Sequence, residues 1–361
     1  GRLRNDVVRG KVSNTDMLNA SAYMEYVQGR VEKIFGGAYG VYDYKDSHYR
    51  DYFDADGHAK TGYYKPFLGN AFINFRPTDT NNPLNTVEQI YGAGQGYLGE
   101  EDENLMQNSS YILVDVPQSM TTYQGTEIFG AGECGGVGMG VTKATADAAS
   151  TAHQASAVID LLSGHFKAVY GGSYQEGVTR RTVVNVPAGS TFRCEKIFGG
   201  AYGLDNEYPC DVYESNVNWN SSDALVGAYR TGIYGGNNNC RRTLYSKVNI
   251  NAPVYYDKAN QYYATVYGAG YGKDTWAQYT EVNLNDGARL YEVYGGGQLG
   301  RVMNKNSVTA WKTLADAAAQ ATYDEQYAAW QAGPENKTKP EVPLAIDLSL
   351  GDKYTDNGLI S

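Results

Sequence analysis

The chain has 361 residues and a formal net charge of −10, with 43 glycines and 33 tyrosines but only 9 phenylalanines. The acidic balance, with no basic run beyond Arg180-Arg181 and Arg241-Arg242, argues against nucleic acid as a partner. A hydrophobic content of 42% is too high for disorder, glycine lacks the every-third-residue period of collagen, and no run of about 18 apolar residues is present to span a membrane.

Tyrosine in this excess is informative, because each buried phenol needs a hydrogen-bond partner that phenylalanine does not. Much of the ring surface is expected to face water, a ligand or a stacked neighbour. The stretch from Gly1 to Gly10 is polar and has no apolar segment of signal-peptide type. The expectation is an exported chain whose leader has already been removed.

Two short phrases recur along the chain. The first is a β-branched residue, an aromatic, glycine and a small residue. It opens at Ile34-Phe35-Gly36-Gly37. Residues 41–70 then interrupt as an inserted hairpin or loop. The second phrase, apolar-Asn/Asp-apolar, follows at Ile73-Asn74-Phe75. The two alternate through Ile90-Tyr91-Gly92-Ala93, Val114-Asp115-Val116, and Ile128-Phe129-Gly130-Ala131. An alanine-rich insertion at 141–156 precedes Ile159-Asp160-Leu161 and Val169-Tyr170-Gly171-Gly172. Val184-Asn185-Val186, Ile197-Phe198-Gly199-Gly200 and Ile233-Tyr234-Gly235-Gly236 continue the series. It then runs through Val248-Asn249-Ile250, Val266-Tyr267-Gly268-Ala269, Val282-Asn283-Leu284 and Val293-Tyr294-Gly295-Gly296. Residues 307–333 read as a helical insertion, N-capped by Ser307 and stopped at Gly333-Pro334. Residues 344–361 restart the pattern with Ile346-Asp347-Leu348, as the beginning of a further coil.

Each repeat holds two short strands with period-2 alternation. The Asn and Asp side chains point outward and their apolar flanks inward. The β-branched residue before each aromatic also points inward, and the glycines permit a corner with positive φ. Successive aromatics are as close as 28 residues (Tyr170 to Phe198) and 27 residues (Tyr267 to Tyr294). So short a unit cannot bury its own apolar face and must stack on copies of itself. The predicted fold is all-β: a single domain forming a right-handed parallel β-helix of about eight to nine coils, with short helical insertions. A propeller is the weaker alternative, since its blades need about 40 residues or more.

Signatures of catalysis are absent: there is no HExxH, GxSxG or P-loop. His48 and His58 are the one histidine pair close in sequence, and surface placement is the simpler reading. Asp115 and Asp160 occupy the same place in consecutive repeats. Their carboxylates are thereby expected about 5 Å apart, where they could bind calcium or act as an acid/base pair, against a plain solvated Asn/Asp ladder. Four residues beyond each repeat aromatic lie Tyr39, Gln95, Glu133, Tyr174, Tyr202, Asn238, Tyr271 and Gln298. This row is expected to project from the corner. Tyr39, Tyr174, Tyr202 and Tyr271 are its candidate ligand-binding residues, against an inert edge cover. Of the four cysteines Cys134, Cys194, Cys210 and Cys240, the favoured disulfide is Cys210 with Cys240 on successive repeats. Four free thiols are the alternative.

Residues 51–66, with Asp51-Tyr52-Phe53-Asp54-Ala55-Asp56-Gly57 and then Thr61-Gly62-Tyr63-Tyr64, resemble one unit of the choline- or glucan-binding cell-wall repeat. The larger repeat, from about residue 30 to 350, resembles the β-helical surface proteins of bacteria. These are adhesin-like, and some relatives carry an immunoglobulin A protease label. The resemblance implies an extracellular or cell-surface module without catalysis of its own, whose partner is a host or bacterial surface glycan or protein. Two alternatives are the passenger segment of such a protease, with catalysis elsewhere, and a polysaccharide lyase or glycoside hydrolase on the same scaffold.

Overall fold

The computed structural model describes residues 21–39, 68–78, 84–96, 106–138 except 118, 156–302 except 205–207, 209 and 274, and 305–332. The stretch at 51–66, most of the 41–70 insertion that holds it, most of the alanine-rich insertion, His48, His58 and Ile346-Asp347-Leu348 lie outside the described residues. The chain divides into two compact units, one of Gly1–Val302 with Asp356–Ser361 and one of Met303–Thr355. The second holds helix α1 (Lys305–Gln331), in which Tyr327 packs against Tyr323 and Trp330 at ring distances of 5.6 Å. No helix among the described residues is long and apolar enough to cross a membrane.

The first unit is built from long parallel sheets, consistent with an all-β parallel solenoid. One sheet has nine strands in the order β1 (Ser21–Tyr26), β3 (Leu68–Phe75), β5 (Met106–Asp115), β7 (Ser156–Ser163), β9 (Thr179–Val186), β12 (Val212–Trp219), β15 (Arg242–Ile250), β19 (Trp276–Leu284) and β21 (Arg301–Val302). A second has eight: β2 (Arg30–Phe35), β4 (Thr86–Tyr91), β6 (Glu127–Phe129), β8 (Ala168–Tyr170), β11 (Lys196–Phe198), β14 (Gly232–Tyr234), β18 (Thr265–Tyr267) and β20 (Glu292–Tyr294). A smaller sheet joins β10 (Arg193–Cys194), β13 (Leu225–Val226), β16 (Tyr255–Asp257) and β17 (Tyr262–Tyr263), the last pair antiparallel. The nine-stranded and eight-stranded sheets are visited alternately along the chain, so each repeat adds one strand to both.

Register makes the repeat into rows. Ile34, Ile90, Ile128, Val169, Ile197, Ile233, Val266 and Val293 stand opposite one another across the eight-stranded sheet. Ile73, Ile112, Ile159, Val184, Val217, Val248 and Val282 do the same in the nine-stranded sheet. The two rows share one apolar core. β-branched side chains suit this pleated interior, and each one fully buried contributes roughly 1.5–3 kcal/mol of hydrophobic free energy.

A third row closes the corners. Ala71, Ser110, Ala157, Thr182, Ser215, Ser246 and Thr280 are in register across the nine-stranded sheet. Ser110, Ser246 and Thr280 donate their hydroxyls to the carbonyls of Gly130, Gly268 and Gly295, each at 2.6 Å. Thr182 and Ser215 donate likewise to Gly199 and Gly235. These bonds tie one sheet to the aromatic-glycine corner that follows it. They satisfy carbonyls that the strand ladder leaves over.

The corner glycines differ from expectation. Positive φ occurs at Gly29, Gly138, Gly164, Gly177, Gly189, Gly227, Gly272 and Gly287, none of which follows a repeat aromatic. The glycine is needed there for another reason. A Cβ on Gly92 would strike the Gly130 carbonyl, one on Gly130 the Gly171 carbonyl, and one on Gly171 the Gly199 carbonyl. The corner backbones of neighbouring repeats touch, leaving no volume for a side chain.

All four cysteines are free and buried. The favoured disulfide is therefore absent, although its two partners do sit on neighbouring repeats. Cys240 donates its thiol to the Cys210 carbonyl at 2.9 Å, inside a small cluster with Ala201 and Val212.

Candidate binding face

The repeat aromatic follows an inward residue, so its ring turns to the other side of the eight-stranded sheet. There Phe35, Tyr91, Phe129, Tyr170, Phe198, Tyr234, Tyr267 and Tyr294 form one continuous stack. Successive ring centroids are 4.8, 5.0, 4.9, 5.3, 4.5, 4.8 and 5.2 Å apart, all within 12° of parallel. The spacing is that of the strands themselves. From Tyr91 to Tyr267 the rings are buried. Phenol and phenyl alternate freely because the row needs a flat face, and the hydroxyl tips find separate partners. Tyr234 donates to Gln298 Oε1 at 2.6 Å, Tyr267 to the Arg230 carbonyl at 3.1 Å, and Tyr91 to Gln89 Oε1 at 3.0 Å.

The row four residues further on is in register as well. Parallel bridges run from Tyr39 to Gln95, Glu133, Tyr174, Tyr202, Asn238 and Tyr271. The last step departs from expectation: Tyr271 bridges Leu299 in the antiparallel sense, and Gln298 instead accepts from Tyr234. Nor do the tyrosines form a free-standing ridge. Tyr174 lies 5.1 Å from the ring of Phe129, Tyr202 stacks on Tyr170 at 5.1 Å, and Tyr271 meets Tyr234 edge-on at 6.2 Å. Tyr174 and Tyr202 are 5.5 Å apart. These three are half-buried on the aromatic stack, whereas Tyr39 is 57% exposed. The result is a two-layer aromatic surface whose outer layer is held in place by the inner.

Polar groups border this surface. The Glu133 carboxylate accepts from Lys33 Nζ at 2.9 Å and from Gln95 Nε2 at 3.0 Å. The Lys196 ammonium lies over the Tyr271 ring at 5.6 Å. Burial pushes the Tyr202 hydroxyl above its usual value, so it stays a neutral donor and acceptor at neutral pH. Burial, with the Glu176 and Glu133 carboxylates adding to it, pushes the nearby Cys134 thiol up to about 12. Such a thiol is no nucleophile at neutral pH.

The Asn/Asp row lies on the nine-stranded sheet. Its register runs Glu25, Asn74, Leu113, Asp160, Asn185, Asn218, Asn249, Asn283. Asp160 therefore stands opposite Leu113, and Asp115 is bridged to Ser163 after a register shift. The expected equivalence of Asp115 and Asp160 is thereby corrected. From Asp160 to Asn283 the row is an amide ladder. Asn283 donates to Asn249, Asn249 to Asn218, Asn218 to Asn185 and Asn185 to Asp160, at 2.8–2.9 Å. Asp160 also accepts from the Tyr111 hydroxyl at 2.8 Å. A carboxylate can only accept, so Asp160 sets the direction of every bond above it.

Asp115 has a different setting. It pairs with Arg76 at 3.0 Å and accepts from Ser163 Oγ at 2.9 Å. It lines an open cleft of about 520 Å³ with Glu25, Arg76, Thr78 and Thr191 among the wall residues. No cluster of three or more His, Cys, Asp or Glu suited to a metal ion occurs among the described residues.

Sequence reasoning missed three of these features. Asn218 was hidden because its flank is Trp219, although Val217-Asn218-Trp219 fits the apolar-Asn-apolar phrase. The hydroxyl row was readable as Ser, Thr or Ala three positions before each Asn. The exposed pair Tyr229 and Tyr291, joined hydroxyl to hydroxyl at 3.0 Å, belongs to no repeat phrase and had no signal. Comparisons with protein-family models, curated proteins and solved structures find no match to this chain.

Proposed function

We propose that the parallel sheets close into a right-handed β-helix of eight to nine coils, and that this chain is a non-catalytic, exported surface module that binds a glycan or a protein along its tyrosine row. Right-handed crossovers are the rule for parallel strands in one sheet, which supports the hand. The observation that carries the function is the two-layer aromatic surface. Tyr174, Tyr202 and Tyr271 are anchored from below by a rigid stack and keep part of each ring available above it. Rings of low conformational freedom with neutral hydroxyl tips suit sugar faces and protein surfaces alike. Glu133 with Lys33, and Lys196, provide directional polar contacts at the border.

A second reading has one observation in its favour. Asp115 and Glu25 line the same cleft with Arg76, an arrangement a polysaccharide lyase or hydrolase could use. One experiment separates the two. The chain is applied to a glycan array and incubated with the same glycans for turnover. The binding reading expects retention without product, unaffected by Asp115→Asn. Product formation abolished by Asp115→Asn would overturn it in favour of the cleft.

A further inference from the structure

The rows do not end alike. At the β19–β20 end the interior opens: Val293 is 43% exposed where Val266 is 0%, Leu284 49% where Ile250 is 0%, and Tyr294 45% where Tyr267 is 5%. β21 pairs with β19 only at Trp276 and Ala277. From Gln278 to Leu284 that edge has no strand partner among the described residues. A Cβ built on Gly295 would meet nothing within 4 Å, whereas on Gly268 it would strike the Gly295 carbonyl.

We propose that this end is a docking surface for a further repeat, a segment carrying hydroxyl-x-β-branched-Asn-apolar and then β-branched-aromatic-glycine. Each row states what must come next. Val293 and Leu284 need apolar cover, Tyr294 offers a ring face for stacking, and Gly295 leaves room for a neighbouring corner. The amide ladder is the most selective of them. From Asn185 to Asn283 each amide donates toward Asp160, and Asn283, which also donates to Glu281 Oε1 at 2.6 Å, accepts no hydrogen bond among the described residues. The incoming residue must bring an N–H, which asparagine does and a carboxylate does not. A second copy stacked through β1 would place Glu25 opposite Asn283, acceptor against acceptor. The partner is therefore a repeat with asparagine at that position, which the Ile346-Asp347-Leu348 phrase of this chain does not supply. This goes beyond the tyrosine-row reading and does not depend on it.

The test uses the full chain and a fluorescently labelled synthetic peptide copying residues 242–270, which contain one complete repeat. Fluorescence anisotropy at pH 7 is expected to show saturable binding, weakened at least tenfold by Asn249→Asp in the peptide. Hydrogen exchange is expected to slow at Tyr279–Leu284 and to stay unchanged in β1 and β3. Absence of saturable binding, equal binding of the Asn249→Asp peptide, or protection at β1 would each overturn the proposal. So would sedimentation showing that the chain stacks on itself and excludes the peptide.

Discussion

A glycine after each repeat aromatic serves its neighbour more than itself. Gly130 has an ordinary backbone, yet a methyl group there would meet the Gly171 carbonyl. Gly130→Ala is therefore expected to lower stability by about 1–3 kcal/mol, the usual cost of overpacking, measured by urea unfolding. The same substitution at Gly295, which faces open space, should cost far less. Asn218 tests the ladder in the same way. Asn218→Leu strands the Asn249 amide and the Asn185 carbonyl, and is expected to cost about 1–2 kcal/mol. Glu281 adds a pH effect. Hydrogen bonds from Tyr245, Lys247 and Asn283 hold its carboxyl at about 2, below the ordinary 4.5. A depressed carboxyl contributes stability that is complete above the unfolded value and is lost as pH falls toward the folded one. The wild-type urea midpoint should fall between about pH 4.5 and 2 more than that of Glu281→Gln. The side chain is partly solvated, so the difference should be small.

At the scale of elements, the order of strands was legible and parts of their register were not. Period-2 alternation around Ile73, Val184, Val248 and the β-branched residues before each aromatic placed the interior rows correctly, because an inward row tolerates no polar residue. β5 was misread because its row position is Leu113, while Val114-Asp115-Val116 mimics the motif two residues on. A local pattern has no access to the shift that aligns Asp115 with Ser163. The tyrosine row was found by its spacing, but its packing against the stack depends on rings in neighbouring repeats. The hydroxyl row predicts its own test. Ser246→Ala leaves the Gly268 carbonyl without its donor and is expected to cost about 1–2 kcal/mol in urea unfolding. Ala157→Ser, adding a hydroxyl at the equivalent place, should cost less if it reaches the Gly171 carbonyl.

Over the whole molecule, stacking turns a weak repeat into continuous rows: aliphatic within, aromatic on one sheet, amide on another. In the proposed function a ligand would meet side chains already held in such rows, so little ordering would oppose binding. In that function the outer tyrosines form the binding face, and calorimetric titration with the strongest array ligand is the decisive measurement. Tyr174→Ala with Tyr202→Ala is expected to weaken affinity at least tenfold, about 1.4 kcal/mol, while Tyr229→Ala, exposed but outside the row, leaves it unchanged. Wild-type affinity in the folded double variant would contradict it.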